Sequence, residues 1–493
     1  MKNLLVELFV EELPPKALKA LGEAFGATLL HGLRAQALAG EHSALNVFAS
    51  PRRLAAHVSH VLAVAPDKAV SVKLMPVSVG LDAAGAPTLA LLKKLASLGA
   101  DAAVVPTLAR QGEGKAETLL FESVVRGATL AEGLQKALDE AIAKLPVPKL
   151  MSYQLADGWT SVNFVRPAHG LVALHGADVV PVSALGLAAG RATRGHRFEA
   201  AMDPVMLLDA DHYAHQLAEQ GAVIASFAER RAEIVHQLGH AAAREGLTPI
   251  HDDALLDEVT ALVERPNVLL GRFETEFLTV PQECLILTMK ANQKYFPLLD
   301  AAGRLTEKFL LVSNIRPADP ARVIEGNERV VRPRLADAKF FFDQDRKRTL
   351  AARVGGLARV VYHGRLGSQG ERVERVRRIA REIAMMLGGP PGGLALADLA
   401  DEAATLAKAD LLTDMVGEFP ELQGVMGACA TRSPTPSRTT TSRASPATRC
   451  RAARSASSSR SPTSSRRWPG CSASASAPAA TRTRSRCAGT RWA

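Results

Sequence analysis

Three arginines, Arg329, Arg332 and Arg334, stand at near-alternate positions just ahead of a charged and aromatic segment that ends at Asp345. Guanidinium forks match phosphate oxygens. Pro333 stiffens the approach, because proline fixes its own φ and disfavours helical backbone at the residue before it. The array suits a phosphate backbone better than a small metabolite; the competing reading is a solvated turn whose arginines pair with Glu328 or Asp337. A second constellation, Lys290-Ala291-Asn292-Gln293-Lys294-Tyr295-Phe296-Pro297, holds two cations, two amides and two aromatics. Aromatics stack on unpaired bases and amides read base edges, so this composition fits single-stranded RNA, unless Tyr295 and Phe296 are core residues. Arg52 and Arg53 follow Pro51 and offer an RNA or subunit contact, or are simply two exposed arginines. In Gly186–Phe198, glycines free the backbone while Arg191, Arg194 and Arg197 supply charge around His196. The Lys-Ser/Thr ending of a P-loop and the glycine order of a dinucleotide fingerprint are both missing there. The RNA-binding candidates are therefore Arg52, Arg53, Arg194, His196, Arg197, Lys290, Asn292, Gln293, Lys294, Arg329, Arg332 and Arg334.

The elements that must carry these residues follow from periodicity. Leu4–Val10 reads as a strand, stopped by Pro14-Pro15, and Leu18, Leu21, Phe25 and Leu29 then mark an amphipathic helix. Residues 68–140 are rich in Ala and Leu and read as helical, and Lys144–Met151 with its alternating prolines reads as an extended connection. Beta-branched residues rise between Trp159 and Gly195, which predicts a sheet. A charged helix is expected over Phe227–Glu245, with Arg230 and Arg231 outward and Ile234 and Leu238 inward. A further helix carries the acids Asp253, Asp257, Glu258 and Glu264; these could ligate Mg2+, but helix-face carboxylates are ordinarily hydrated. Val268–Leu270, Leu285–Met289 and Leu310–Val312 read as strands. After an extended turn at Arg332–Arg334, a helix starts at Leu335, with Ala336, Phe340 and Phe341 inward and Asp337, Lys339, Asp343 and Asp345 wet. Beyond Phe342 the chain reads as all-helical.

The chain has 493 residues and a formal charge of +10, which points to nucleic acid until the charge is located. Thirteen of its 60 Lys and Arg lie between Ala430 and Ala493, where no Asp or Glu occurs, so residues 1–429 hold 47 cations against 50 acids. Any RNA affinity of the body must come from local patches, not bulk charge. The five cysteines show no C-x-x-C spacing, so neither a disulfide framework nor a zinc site is indicated and a reducing cytoplasm is expected. No signal peptide opens the chain, and the most apolar run, Leu171–Gly190, is broken by His175, Asp178 and Pro181, so no membrane partner is expected.

Seven stretches together carry a family resemblance: Glu7–Pro15, Pro51-Arg52-Arg53-Leu54-Ala55, Lys144–Met151, Phe164–His169, Arg194–Phe198, Met289–Pro297 and Val323–Asp345. In this colinear set the chain resembles the beta subunit of the bacterial tetrameric glycyl-tRNA synthetase, from its first residues to about Gly427. The resemblance implies a tRNA-recognising subunit of glycine–tRNA ligase that works in an alpha2beta2 tetramer with a separate alpha subunit and tRNA(Gly). ATP and Mg2+ would serve the assembled enzyme, bound mainly by the alpha subunit, with none evident in this chain. His196-Arg197-Phe198-Glu199 is similar to the Arg-x-Glu signature of class II synthetase sites, but Arg272-Phe273-Glu274 matches equally well, and no catalytic residue is assigned. The region around Asp410 and Asp414 is similar to an HD-type helical domain. Ala409 stands where a metal-binding pair needs its histidine, so no metal ligand is assigned.

The expected architecture is α+β and multidomain: a mixed N-terminal region over 1–150, a sheet-rich region over 151–322, an incomplete HD-like helical domain over 323–427 and a disordered tail over 428–493. The tail is almost entirely Ala, Arg, Ser, Thr and Pro, without Leu, Ile, Val, Phe, Asp, Glu or Lys. A GC-rich coding sequence read out of frame yields that alphabet. On this expectation the rest of the helical domain and the family's anticodon-binding domain would be missing. A freestanding RNA-binding or scaffold protein and an HD-type phosphohydrolase are the alternatives.

Overall fold

The computed structural model describes residues 1–82, 85–112, 117–388 and 392–431, and Met1–Thr431 forms one compact unit. The expected tail over 428–493 lies, from residue 432 on, outside the described residues.

The first strand, β1 (Lys2–Val10), is central. An almost unbroken apolar run is suited to a strand covered on both faces, and here β1 lies inside a five-stranded antiparallel sheet. Its neighbours are β3 (Arg53–Val61), with β2 (Leu45–Ser50) beyond it, and β9 (Ala168–His175), with β10 (Asp178–Val179) beyond that. Leu4, Val6, Leu8 and Val10 face a core shared with α1 (Leu18–Ala35) and, further along the chain, α4 (Leu130–Ala143). The odd-numbered face, with Leu5, meets Val172, Leu174, Val205 and Tyr213. This two-residue alternation places Glu7 in the second layer, away from water.

Residues 68–140 are not the helical stretch expected. They hold a three-stranded sheet of β4 (Lys68–Pro76), β5 (Ala109–Gln111) and β6 (Thr118–Val125), covered by α2 (Val77–Gly80) and α3 (Leu89–Ser97), before α4 begins at a Thr129/Glu132 capping box. In β4, Val70, Val72 and Leu74 alternate with Ser71 and Lys73. The local period of two outweighs the regional Ala content.

The hairpin of β7 (Met151–Gln154) and β8 (Ser161–Phe164) precedes β9, and two small ribbons follow: β11 (Ser183–Ala184) with β12 (Leu187–Ala188), and β13 (Ala192–Thr193) with β14 (Val205–Met206). After α5 (Tyr213–Glu219) a second layered core forms. Its sheet, in the order β15 (Thr248–Pro249), β17 (Phe296–Leu299), β18 (Leu305–Ser313), β16 (Asn267–Arg272), carries α6 (Phe227–Arg244) and α7 (Asp253–Thr260) on one face. The other face packs on α8 (Gln282–Gln293) and α9 (Ala321–Asp345). Phe309 and Leu311 point to the second of these cores, Leu310 and Val312 to the first. The strand expected over Leu285–Met289 is part of α8. Its buried residues, Cys284, Leu285, Thr288 and Met289, repeat at helical spacing, which a stretch of five residues, four of them apolar, does not reveal by itself.

Two further expectations fail in α9. The helix runs unbroken through Arg332-Pro333-Arg334, where an extended turn was predicted. Proline's φ is compatible with a helix, and the lost N–H costs one bond to the carbonyl four residues back; burial of Val331, Leu335 and Ala338 on both sides of Pro333 holds the helix against that cost. Ala336 and Phe340 are exposed, and Asp345 is buried, accepting from the Asp414 and Met415 amides at 2.9 and 3.0 Å and pairing with Arg353 at 3.0 Å. Beyond α9 come α10 (Leu350–Arg353), a hairpin of β19 (Val361–His363) and β20 (Gly367–Ser368), and then α11 (Gln369–Gly388), α12 (Gly392–Leu406), α13 (Asp414–Glu418) and α14 (Val425–Thr431). The hairpin interrupts the all-helical stretch expected here. The helices present do not by themselves identify an HD-type domain.

Candidate nucleic-acid interface and the ion cluster beneath it

Three of the sequence motifs, Glu7–Pro15, Pro51–Ala55 and Arg194–Phe198, meet at the joint between the two layered cores. Glu264, in the connection from α7 to β16, accepts from Arg52 Nη2 at 2.8 Å and from Ser50 Oγ at 3.3 Å, and Arg53 Nη2 lies 3.6 Å away. All four residues are buried. Arg52 and Arg53 are thus not a surface contact: the β2–β3 turn that carries them is pressed into the joint, and both guanidiniums lie over the Phe9 ring, at 5.3 and 5.5 Å. Burial drives the Glu264 carboxyl up, Arg53 and Arg52 more than offset this, and the group ends below the usual carboxylate range.

Arg230, expected on the wet face of α6, is fully buried as well. It donates to the carbonyls of Ala49 at 2.7 Å, Ile224 at 2.7 Å and Thr260 at 3.0 Å, and burial pulls it down to about 9. One layer away, the Glu7 carboxylate accepts from Thr193 Oγ1 and Tyr213 Oη, and burial followed by the Glu7 charge raises the Tyr213 phenol.

This cluster holds a surface loop in place. Arg53 Nη2 donates to the Arg194 carbonyl and Arg52 Nη2 to the Gly195 carbonyl, each at 2.8 Å. His196 is buried; its amide donates to Gly221 O at 2.7 Å and its Nδ1 accepts from the Phe198 and Glu199 amides at 3.2 Å. His196 therefore shapes the loop from within. Arg194 and Arg197 reach the surface, where Arg194 meets Asp203 at 3.1 Å and Arg197 meets Glu11 at 2.9 Å. Gly195 is required: a Cβ there would stand 2.6 Å from Ala200 Cβ and 2.8 Å from Gly221 O.

The Lys290–Pro297 segment divides. Tyr295 and Phe296 are core residues, Tyr295 stacking on Phe309 at 4.6 Å and donating to Asn327 Oδ1 at 2.7 Å, with burial pushing its phenol up to about 12. They are not a stacking platform. Lys290 pairs with Asp252, and Lys294, which ends α8 at a φ of 59°, pairs with Glu258 at 3.2 Å. Both pairs line a cleft of about 650 Å3 together with Lys16, Lys19 and Asp257. Asn292 is exposed and Gln293 half-buried beside it. On α9, Arg329 pairs with Glu325 at 2.6 Å and Arg332 with Glu274, whereas Arg334 has no partner among the described residues.

Most acids in these sites are thus engaged by cations and offer little for Mg2+: Asp257 lies within reach of both Lys19 and Arg231. Asp410 is buried and accepts from the Gly424 amide, a structural task. What the motif reading missed is charge by segment. Residues 321–388 hold sixteen Lys and Arg against eight Asp and Glu, inside a body that is slightly acidic; a running charge count would have found it.

The match to known proteins falls among the aminoacyl-tRNA synthetases. The family model described as "Glycyl-tRNA synthetase beta subunit" matches residues 4–438, and the chain belongs to that family. It is 71% identical over 429 residues to the glycine–tRNA ligase beta subunit of Delftia acidovorans and 71% identical over 425 residues to that of Thiobacillus denitrificans. Each match covers 86% of this chain and 60% of the relative. The corresponding figures for Dechloromonas aromatica are 69% over 436 residues, 86% and 61%. The chain spans about 60% of the length of these curated relatives.

Proposed function

We propose that this chain serves as the tRNA-recognising part of a glycine–tRNA ligase beta subunit, supporting ATP-dependent attachment of glycine to tRNA(Gly) in the cytoplasm. The observation that carries it is the identity of about 70% to proteins of that name, which runs through the motifs that meet at the ion cluster. Activation of glycine with ATP and Mg2+ belongs to an alpha subunit, with which the chain assembles as alpha2beta2. Within the chain, Arg52, Arg53 and His196 shape the loop, while Arg194, Arg197, Asn292, Gln293, Arg329 and Arg334 are surface groups available to RNA. Arg194, Arg197, Arg329, Lys290, Lys294 and Arg332 each leave a carboxylate to reach RNA, whereas Arg334 has no partner among the described residues.

The test is co-expression with the alpha subunit, followed by complex mass, tRNA charging and glycine-dependent pyrophosphate exchange. A stable complex, RNA binding by this chain and no exchange without the alpha subunit are expected. Exchange by the purified chain alone would overturn the division of labour.

A further inference from the structure

We propose that the β19–β20 hairpin and the first turns of α11 form a binding site for unpaired RNA, with Tyr362 as a platform for one base and the surrounding arginines as phosphate ligands. It rests on the RNA-binding reading above and names a surface that none of the motifs marked.

The hairpin lies within the cation-rich segment, and its acids are already committed. Glu371 accepts from the Ser368 amide at 2.7 Å and Glu374 pairs with Arg377 at 2.9 Å. Arg359, Arg365, Arg372, Arg375 and Arg378 have no carboxylate partner among the described residues. These five guanidiniums without a carboxylate partner, spread over residues 359–378, contrast with Arg194, Arg197, Arg329 and Arg332, which all pair, and resemble Arg334, which does not.

The aromatic group is equally specific. Arg372 lies 4.3 Å from the Tyr362 ring centroid, and the Tyr362 residue keeps 40% of its surface open. Its hydroxyl has no partner among the described residues. A ring supported by a cation and open to solvent can stack on any base, since every base presents a π-face, and guanidinium forks beside it can hold the flanking phosphates. Bases locked in a duplex cannot reach such a ring, which selects unpaired nucleotides.

The platform is also held in place. Val361 pairs with Ser368, the Gln369 amide donates to Val360 O at 2.8 Å, and Arg375 Nη2 donates to Leu366 O at 3.2 Å. Val376, Ile379 and Ile383, exposed further along α11, would suit a protein partner instead. The uncompensated charge around Tyr362 favours RNA.

The experiment measures binding of the full chain to three labelled probes across a salt series: a tRNA(Gly) transcript, a short single-stranded oligoribonucleotide and the same oligomer annealed to its complement. Tyr362→Ala should weaken single-strand binding roughly 5- to 150-fold without changing the salt slope. Tyr362→Phe should restore it, and duplex binding should not respond. Arg365→Gln should lower the log–log salt slope for the single strand by about 0.7. Wild-type binding that all three variants reproduce overturns the site while leaving the wider reading standing; no RNA binding by the wild type overturns both. An equal loss in Tyr362→Phe overturns stacking, and loss of alpha-subunit association with RNA binding intact shows a protein interface instead.

Discussion

Replacing Glu264 by glutamine keeps the shape of the joint and removes its charge. Arg52 and Arg53 then face each other buried beside the joint without the carboxylate between them, at 2.8 and 3.6 Å in the native protein. At an effective dielectric of about 20 the two attractions amount to roughly 6 and 5 kcal/mol gross. Desolvation cancels much of this, and breaking a buried pair by removing one partner costs about 3–5 kcal/mol net. The assay is amide hydrogen exchange, read over β2, β3 and the 194–198 loop, because the guanidiniums hold the carbonyls of Arg194 and Gly195. Protection there should fall roughly a hundred- to a few thousand-fold, each 1.4 kcal/mol being about tenfold. The effect should also depend on pH with a fixed sign. Glu264 is held below its unfolded value, so its stabilisation is fully present above about pH 4.3 and is lost as pH falls through the folded value. The gap between wild type and Glu264→Gln should therefore narrow on acidification. A change in protection under threefold, or a gap that does not respond to acid, would refute the assignment of the joint to this ion cluster.

Gly195→Ala forces a methyl group against Ala200 and the Gly221 backbone and should cost about 1–3 kcal/mol in denaturant unfolding; a neutral outcome would mean the loop relaxes freely. Arg334→Ala should reduce the log–log salt slope of tRNA binding by roughly 0.7–0.9. Arg332→Ala, whose guanidinium is held by Glu274, should do less, and equal slopes for the two would contradict that pairing. Tyr295→Phe removes the donor to Asn327 and should lower stability by about 0.5–1.5 kcal/mol with RNA affinity intact; weakened RNA binding at full stability would return Tyr295 to the interface.

The elements legible in the sequence were those whose apolar spacing decides between periods. Leu18, Leu21, Phe25 and Leu29 are all buried along α1, and Val268–Leu270 and Leu310–Val312 are strands, as expected. Leu285–Met289 was misread because five residues, four of them apolar, are too few to fix a period, and β4 because its alternation is submerged in a region rich in alanine. The charged residues misled most. Arg52, Arg53, Arg230 and Asp345 look like surface groups by type, and only tertiary placement shows that each is buried and engaged. Charge at Arg359, Arg365 and Arg372 was visible, but a scattered set of arginines becomes a patch only when a hairpin and a helix bring them together.

The central position of β1 has a consequence for synthesis. One neighbour, β3, is complete by Val61, but the other, β9, ends at His175, about 165 residues after β1. At roughly 5–20 residues per second the nascent chain carries one open edge of an apolar strand for about 10–30 s. During that interval Leu4-Leu5-Val6-Glu7-Leu8-Phe9-Val10 is a template for another chain on the same polysome. Glu7 sits at its middle, and the partners that later accept its charge into the interior, Thr193 and Tyr213, emerge last of all. Until they do, a lone carboxylate on that strand penalises stacking against an identical copy, so the residue that anchors the finished layer also guards the unfinished one.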